Sequence, residues 1–524
     1  MIANAERLTA LVEEFRVRVP SLVDPVEIAA SLESSGINDS VARDRFNARD
    51  TFDLAAVLTS RIRSTGPLVA RVAPADAPDD STERRQAAVD YLRGPLALIP
   101  IVLLLVIVAA YGEVGRWSTA TTLAFSVGMT SSMLVTNCFV QALSRRGAIY
   151  VSREDYASAG AFISLVLRVA LCAVVVVTVV GVLATVALGV FTPTDGLIFG
   201  AAFAALSLVW LLAGVLALVR APALLVLALG AGIVVAVAVD RVAATIYRDH
   251  VLVASILGYA TAIGTMLVAA RRRYGRADSG EPAPSLPSLA YLLDEATPYF
   301  TYGARYMALV LLPHVIAWLA VMKTEADRVT AATSFEIALT ASLLPIVVTG
   351  GLAERSARLF WHSARAALRQ TSMDRPQQFG EALRRFYATQ MVRYLIAMIA
   401  ASLMAYAAFS TPFASETIRA LVPATNAALV QVLFAAGLVG YLLLGCGLFN
   451  CIFIVGLGRP QHANNALTQG IIGTLIVGSP LVLGFHFGYS VVAFAGGALV
   501  FALSSFSAAH HLLASADYHY YASS

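Results

Sequence analysis

The sequence has little charge and almost no lysine. Charged residues make up 13% of its 524 residues, Lys323 is the sole lysine, and the formal net charge is +4. Such a balance gives no reason to expect a nucleic-acid partner. Lys323 follows Val-Met rather than a glycine-rich loop, so the chain also lacks the phosphate-binding loop through which many proteins use ATP.

Catalytic and metal-binding patterns are missing as well. The sequence contains no H-E-x-x-H, paired C-x-x-C or G-x-S-x-G pattern. Its cysteines lie in apolar stretches, where they are expected to pack as small residues, and an aromatic belt at the membrane interface explains the tail after His510 and His511 better than a metal site does. We therefore predict no enzyme activity, no catalytic residues, no metal and no cofactor.

Long apolar segments are what the sequence has in quantity. Hydrophobic residues make up 58% of the chain and the mean hydropathy is +0.74, which no soluble domain of this size normally carries. A helix of about 20 apolar residues crosses the roughly 30 Å hydrocarbon layer, whereas a barrel strand would alternate polar and apolar residues. We predict an all-α polytopic membrane protein with about twelve spans, at 95–112, 119–143, 160–189, 197–219, 222–239, 249–270, 303–321, 332–350, 392–411, 425–456, 467–487 and 489–513.

Arginine placement predicts the orientation of these spans. Arginines collect in every second loop, above all in 144–158, 271–276 and 354–391, and are few in the loops between. Because cytoplasmic loops are enriched in arginine and lysine, these loops are predicted to be cytoplasmic. The chain is thus expected in the cytoplasmic membrane with both termini in the cytoplasm.

The N-terminal residues 1–75 lack the apolar core of a secretory signal and are predicted to form a small soluble helical segment, followed by a linker over 76–92. One interpretation is a docking module for a cytoplasmic glycosyltransferase or another synthesis protein. The other is a solvated extension that only assists folding or insertion.

A basic and then Pro/Ser/Gly-rich linker, 271–302, divides the spans into an N-terminal lobe, 93–270, and a C-terminal lobe, 303–515, followed by a tail, 516–524. Six spans in each lobe permit a parallel repeat. Residues 125–145 align on 335–355 at a constant offset, which matches Phe125 with Phe335, Ser132 with Ser342 and Arg145 with Arg355. Two equivalent lobes facing a central cleft are typical of transporters.

Three stretches carry a resemblance to a known family: Gly94-Pro95, Phe125 to Arg146 with its basic loop, and Gly440 to Pro460. Over roughly residues 90–515 the chain resembles the Pel-type exopolysaccharide exporters of the multidrug/oligosaccharidyl-lipid/polysaccharide (MOP) flippase superfamily. The resemblance implies alternating access between two six-helix lobes, with a polysaccharide or lipid-linked glycan as cargo. The superfamily has no strict motif for cargo-binding residues, and the segment before residue 90 has no counterpart in the family.

Arginines within or at the ends of spans are candidate cargo-binding residues. Arg168 lies in the third span, and Arg305 and Arg393 begin the seventh and ninth. A guanidinium group at membrane depth is costly unless it faces a cavity or a partner, and it binds a pyrophosphate or acidic sugar through paired hydrogen bonds. The alternative for each is an ordinary anchor at the membrane interface.

Neutral amides and two titratable groups complete the predicted site. Glu336 and His314 are candidates for proton or cation coupling, because both can change charge and neighbouring helices can hold them together. A solvated helix end is the alternative for Glu336, and a hydrogen-bonded packing residue is the alternative for His314. Four amides are candidates for binding sugar hydroxyls, although amides also join helices: Asn137, Gln141, Gln431 and Asn450.

The sequence thus favours a flippase or exporter of a polysaccharide or lipid-linked oligosaccharide, in contact with membrane lipids and without its own ATPase. A cation-coupled small-molecule antiporter of the same superfamily is an alternative, against which stands the lack of Asp and Glu inside the first six predicted spans. A non-transporting scaffold of a polysaccharide synthesis complex is the other.

Overall fold

The computed structural model describes residues 8, 11–12, 25–34, 37–64, 119–152, 156–218, 222–243, 250–274, 289–324, 328–370, 376–412, 416, 426–484 and 486–516. All regular structure in these ranges is helical. The predicted linker 76–92, the first predicted span 95–112 and the tail after residue 516 lie outside them. The helices are α1 Pro25–Ser34, α2 Asp39–Phe46, α3 Thr51–Ser64, α4 Thr119–Ser152, α5 Tyr156–Ala187, α6 Pro193–Leu218, α7 Pro222–Ala243, α8 His250–Tyr274, α9 Leu289–Thr324, α10 Arg328–Ser342, α11 Leu344–Gln370, α12 Pro376–Phe409, α13 Ala427–Gly456, α14 Pro460–Gly484 and α15 Tyr489–Ala514.

Within the described ranges, ten helical stretches are long and apolar enough to cross a membrane. Large apolar side chains point outward from them, among them Leu183, Val234 and Ile476, each more than 60% exposed. Only a lipid environment accommodates so many exposed apolar groups. The prediction of a polytopic, all-α membrane protein is confirmed, and α8 covers the sixth predicted span, 249–270, as a helix.

Several helix ends differ from the predicted bounds. α9 begins at Leu289, inside the predicted 271–302 linker. The eighth predicted span is divided at Leu343 into α10 and α11, because Pro345 has no N–H to continue the helical ladder and is best tolerated in a first turn. Most of the predicted basic loop 354–391 is helical, since α11 runs on to Gln370 and α12 starts at Pro376.

The chain divides into two compact units, of which the smaller contains residues 1–90, 354–392 and 510–524. The helices α1 to α3 bury a hydrophobic core of their own, with Ile28, Leu32 and Leu58 fully enclosed. Asn38 caps α2 through the Val41 amide, and Asn47 ends it in a left-handed conformation at φ 56°. The described part of the N-terminal segment is therefore packed helical structure with a core.

The larger unit contains residues 91–353 and 393–509. In its first half α4 packs along α6, and α7 packs along α8. The α7–α8 contact is close because Gly232 and Gly258 face each other, and a Cβ atom on Gly232 would lie 2.7 Å from the Gly258 carbonyl oxygen. In the second half α9 packs against α14, and α10 against α13.

One helix pair joins the two halves most extensively in the described part of this unit. α4 from the first half packs along α9 from the second. α9 also contains Pro298 and Pro313, each of which removes one intrahelical hydrogen bond and leaves a backbone carbonyl free for another donor. α9 thus lies where the halves meet.

Candidate functional site

The clearest polar cluster within the described spans is built on α9 and α10. The Glu336 carboxylate accepts a hydrogen bond from Trp318 Nε1 at 2.7 Å, and His314 Nδ1 lies 3.0 Å from Glu336 Oε1 and 3.1 Å from Oε2. His314 and Trp318 are one turn apart, so both face α10. The two residues that sequence reasoning named for coupling are therefore in direct contact.

The cluster lies inside the candidate spans, near one end of each. At 1.5 Å per residue, His314 is about 9 Å from the end of the span Ala296–Ala320, and Glu336 is about 3 Å from the start of the span Ser334–Ala364. The exposed fraction of the side chain is 10% for His314 and 29% for Glu336. The Glu336 side chain is thus partly accessible, whereas the His314 imidazole is buried.

The indole N–H identifies the charge state that these contacts favour. Trp318 Nε1 can only donate a hydrogen bond, so it stabilises an ionised acceptor better than a protonated one. With Glu336 ionised, a neutral His314 that carries its hydrogen on Nδ1 donates it to the carboxylate. A second proton on the imidazole would change the net charge of the pair from −1 to zero.

Aromatic side chains surround this pair. The His314 ring packs edge-on against Phe335 at 5.6 Å, and Phe335 contacts Phe487 at 6.3 Å. Tyr441 on α13 is fully buried and close enough to Glu336 to interact with it electrostatically. Apolar walls strengthen charge interactions by lowering the local dielectric constant, so a change in the charge of Glu336 is expensive here unless a proton or cation compensates it.

Two of the predicted amides join helices. Asn137 on α4 donates from Nδ2 to the Gly303 carbonyl oxygen of α9 at 3.0 Å. Asn450 on α13 is fully buried and donates to Ser505 Oγ on α15 at 3.1 Å. The structure therefore gives both amides a structural contact.

The other predicted cargo-binding residues are placed separately from the Glu336 cluster. Arg168 is exposed on α5 and donates to Ser164 Oγ, one turn earlier in its own helix, at 3.1 Å. Arg393 is exposed, Arg305 is half-buried, and Gln141 is half-buried on α4. Gln431 is exposed and donates to Ser410 Oγ at 3.4 Å.

Two residues with polar contacts inside the spans, Trp318 and Asp195, were not predicted from the sequence. Trp318 was missed, although its spacing of four from His314 was a usable signal. Asp195 was missed because the fourth span was predicted to begin at 197, whereas α6 begins at Pro193. The Asp195 carboxylate is buried and accepts from Thr121 Oγ1 and Thr192 Oγ1, each at 2.7 Å, so the first lobe does hold a carboxylate within a span.

Comparisons with known proteins bear on the fold. Neither a protein-family model nor a curated protein matches the chain in sequence. A MOP superfamily transporter from Pyrococcus furiosus superposes with a TM-score of 0.59 at 14% identity, over 82% of this chain and 96% of that one. The MATE transporter ClbM in complex with Rb⁺ gives 0.53 at 13% identity over 80% and 93%, and an inward-facing MATE transporter gives 0.56 at 14% identity over 82% and 99%.

The matches cover 93–99% of the three transporters, so nearly all of each has a counterpart in this chain. The chain is a multi-pass membrane protein with the fold of MOP superfamily transporters.

Proposed function

We propose that this protein is a proton-coupled transporter that works by alternating access, with His314 and Glu336 as its coupling site. The observation that carries the proposal is the hydrogen-bonded contact between a titratable imidazole and a carboxylate inside the spans. Ionisable groups at membrane depth are costly and are typical of proton and ion pathways. The cytoplasmic membrane, with both termini in the cytoplasm, is the location that the arginine pattern supports.

The chemistry of coupling follows from the two charge states of the pair. When a proton binds to His314, the net charge of the pair changes from −1 to zero, while Trp318 continues to hold the carboxylate. A cationic cargo that approaches Glu336 favours the state with net charge −1 and therefore expels the proton. Proton and cargo thus compete through one carboxylate, which is the reciprocal linkage that antiport requires.

The fold supports transport rather than scaffolding. The solved structures with the same fold are transporters, and one of them was obtained in complex with Rb⁺. Both inward-facing and outward-facing structures are among them. We propose that this chain also alternates between an inward-facing and an outward-facing state, with its two groups of spans moving relative to each other.

A vesicle experiment tests this proposal. Full-length protein is reconstituted with pyranine inside the vesicles to report internal pH, a pH gradient is imposed, and ethidium is added as a cationic probe. We expect ethidium to dissipate the gradient in vesicles with wild-type protein and not in vesicles with Glu336→Gln, because glutamine keeps the shape and the Trp318 acceptor but has no negative charge.

The matched control is Glu381→Gln. Glu381 is an exposed carboxylate on α12 whose partner, Arg385, is one turn away at 3.5 Å. Its loss should leave the ethidium response unchanged. Equal responses from wild-type protein and Glu336→Gln would contradict the proposal.

Glycan export is the second candidate, favoured by the resemblance of residues 125–146 and 440–460 to polysaccharide exporters. Its test is the movement of a fluorescent lipid-linked oligosaccharide across the bilayer of the same vesicles. Loss of that movement in an Arg168→Ala, Arg393→Ala variant would support the predicted arginine pair. Unchanged movement would exclude the pair from the cargo path.

A further inference from the structure

We infer that the contact between Asn137 on α4 and Gly303 on α9 is a gate, a contact that must open when the two groups of spans separate. The inference rests on the alternating-access part of the proposed function, and it assigns positioning roles to two residues outside the coupling site. The gate lies on the side where α4 ends and α9 begins, which the arginine pattern predicts to be cytoplasmic.

A hydrogen bond, called the latch below, and an aromatic contact connect α4 to α9. Asn137 Nδ2 donates to the Gly303 carbonyl oxygen at 3.0 Å across the two halves. Nearby, Phe139 from α4 meets Phe300 from α9 edge-on with ring centroids 5.1 Å apart. Phe139 is buried and Phe300 is 37% exposed, so the ring contact lies at the edge of the α4–α9 interface, beside the hydrogen bond.

Gly303 is what allows so close an approach. A Cβ atom at this position would lie 2.6 Å from the Asn137 carbonyl oxygen and 2.9 Å from the Cys138 Cα atom. Both are backbone atoms of α4, so no side-chain rotation relieves the overlap. Any larger residue at 303 therefore separates the helices.

On its other side α9 is held by the second half of the chain. Asn464 on α14 is buried and donates to the Pro298 carbonyl oxygen at 2.9 Å and to Thr301 Oγ1 at 3.2 Å. Pro298 lies five residues before Gly303, about one and a half turns, so two asparagines from opposite halves bond to the same stretch of α9. When α9 and α14 move as one body, the Asn137 bond is the contact that opens.

The chain contains a native reporter of this gate. Cys138 follows Asn137 directly and is 5% exposed in the closed arrangement, with its thiol directed to the Leu134 carbonyl oxygen. Separation of α4 from α9 exposes it to water and reagent. Cys451 contacts Tyr302, the neighbour of Gly303, so it belongs to the same region. Cys446 is buried on α13 and Cys172 is exposed on α5, so these two serve as internal references.

The experiment labels full-length protein in vesicles with N-ethylmaleimide and measures the modified fraction of each cysteine by mass spectrometry over time. Gly303→Ala should raise the labelling rate of Cys138 by about fivefold or more, the effect of overpacking a tight contact. Asn137→Ala, which removes the latch without adding bulk, should raise it by about threefold, the value of one net hydrogen bond. Labelling of Cys446 and Cys172 should stay unchanged in both variants.

Gly264→Ala on α8 is the matched control, because a Cβ atom there meets nothing within 4 Å, and it should label like the wild-type protein. Wild-type labelling of Cys138 in Gly303→Ala would overturn the inference. So would a parallel rise at Cys446, since it would show that the contact only holds the fold together. The readout needs neither proton nor cargo, so a failed coupling site leaves this result interpretable.

Discussion

His314 Nδ1 on α9 lies 3.0 Å from Glu336 Oε1 on α10, and the same carboxylate oxygen accepts the indole N–H of Trp318 at 2.7 Å. Two donors on one helix thus fix a carboxylate that belongs to the next. This geometry makes the charge of Glu336, rather than its bulk, the feature on which the proposed coupling depends.

Trp318→Phe tests how much the indole N–H contributes. Phenylalanine keeps one aromatic ring, with less volume, and loses the donor to Glu336. We expect the free energy of unfolding to fall by about 1.5–3 kcal/mol, the usual value of a hydrogen bond to a charged group, beyond the loss caused by volume in the control. Thermal unfolding of the purified protein measures it. Trp210→Phe on α6 is the control, because Trp210 Nε1 is buried without a partner among the described residues, and its removal should cost clearly less. Equal losses would show that volume alone matters.

Gly437→Ala tests the close packing of α13 on α10. A Cβ atom at 437 would overlap Ser342 Oγ, which already donates to the Ala338 and Phe434 carbonyl oxygens. We expect a loss of about 1–3 kcal/mol in the free energy of unfolding from overpacking. Gly230→Ala, where a Cβ atom meets nothing within 4 Å, should be neutral or stabilising by up to about 1 kcal/mol. A similar effect of both changes in chemical unfolding would contradict this packing.

The N-terminal helices should depend on pH through Asp39. The Thr51 hydroxyl and then the Thr51 amide donate to its carboxylate, and these bonds lower the pKa of Asp39 in the folded protein. Because the folded pKa is the lower one, the stabilisation is present above the ordinary pKa of about 3.9 and is lost as pH falls through the folded value.

Hydrogen exchange in the full-length protein measures this effect. In Asp39→Asn, amides of residues 37–64 should exchange faster than in the wild-type protein at pH 6, and the difference should vanish at the acid end. Asp44→Asn on the exposed face of α2 provides the comparison and should leave exchange unchanged. A difference that grows as pH falls would reverse the sign and refute the assignment.

The fold was predictable because lipid imposes simple rules. Span length follows from bilayer thickness, and each described span overlaps its predicted position. Helix ends were less predictable: α9 starts fourteen residues before the predicted 303, at Leu289, because residues that border the membrane continue a helix without needing apolarity. Pro345, by contrast, marks the break between α10 and α11 in the sequence itself.

The candidate site was predictable in its titratable residues and not in its geometry. Glu336 and His314 stand out because charge is rare in spans. The packing of α9 against α10 decides whether Glu336 and His314 face each other, and no pattern in a single sequence encodes that packing. Trp318 resembles any aromatic residue at a membrane interface. Arg168 stood out by the same rule, yet its side chain is exposed and bonds within its own helix.

The most direct test of the account is proton release on cargo binding, without transport. Ethidium is added to purified full-length protein in weakly buffered detergent solution, and a pH indicator records released protons while ethidium fluorescence records binding. The account predicts proton release by the wild-type protein and by Glu381→Gln, and none by Glu336→Gln. Proton release from Glu336→Gln equal to that of the wild-type protein would contradict it.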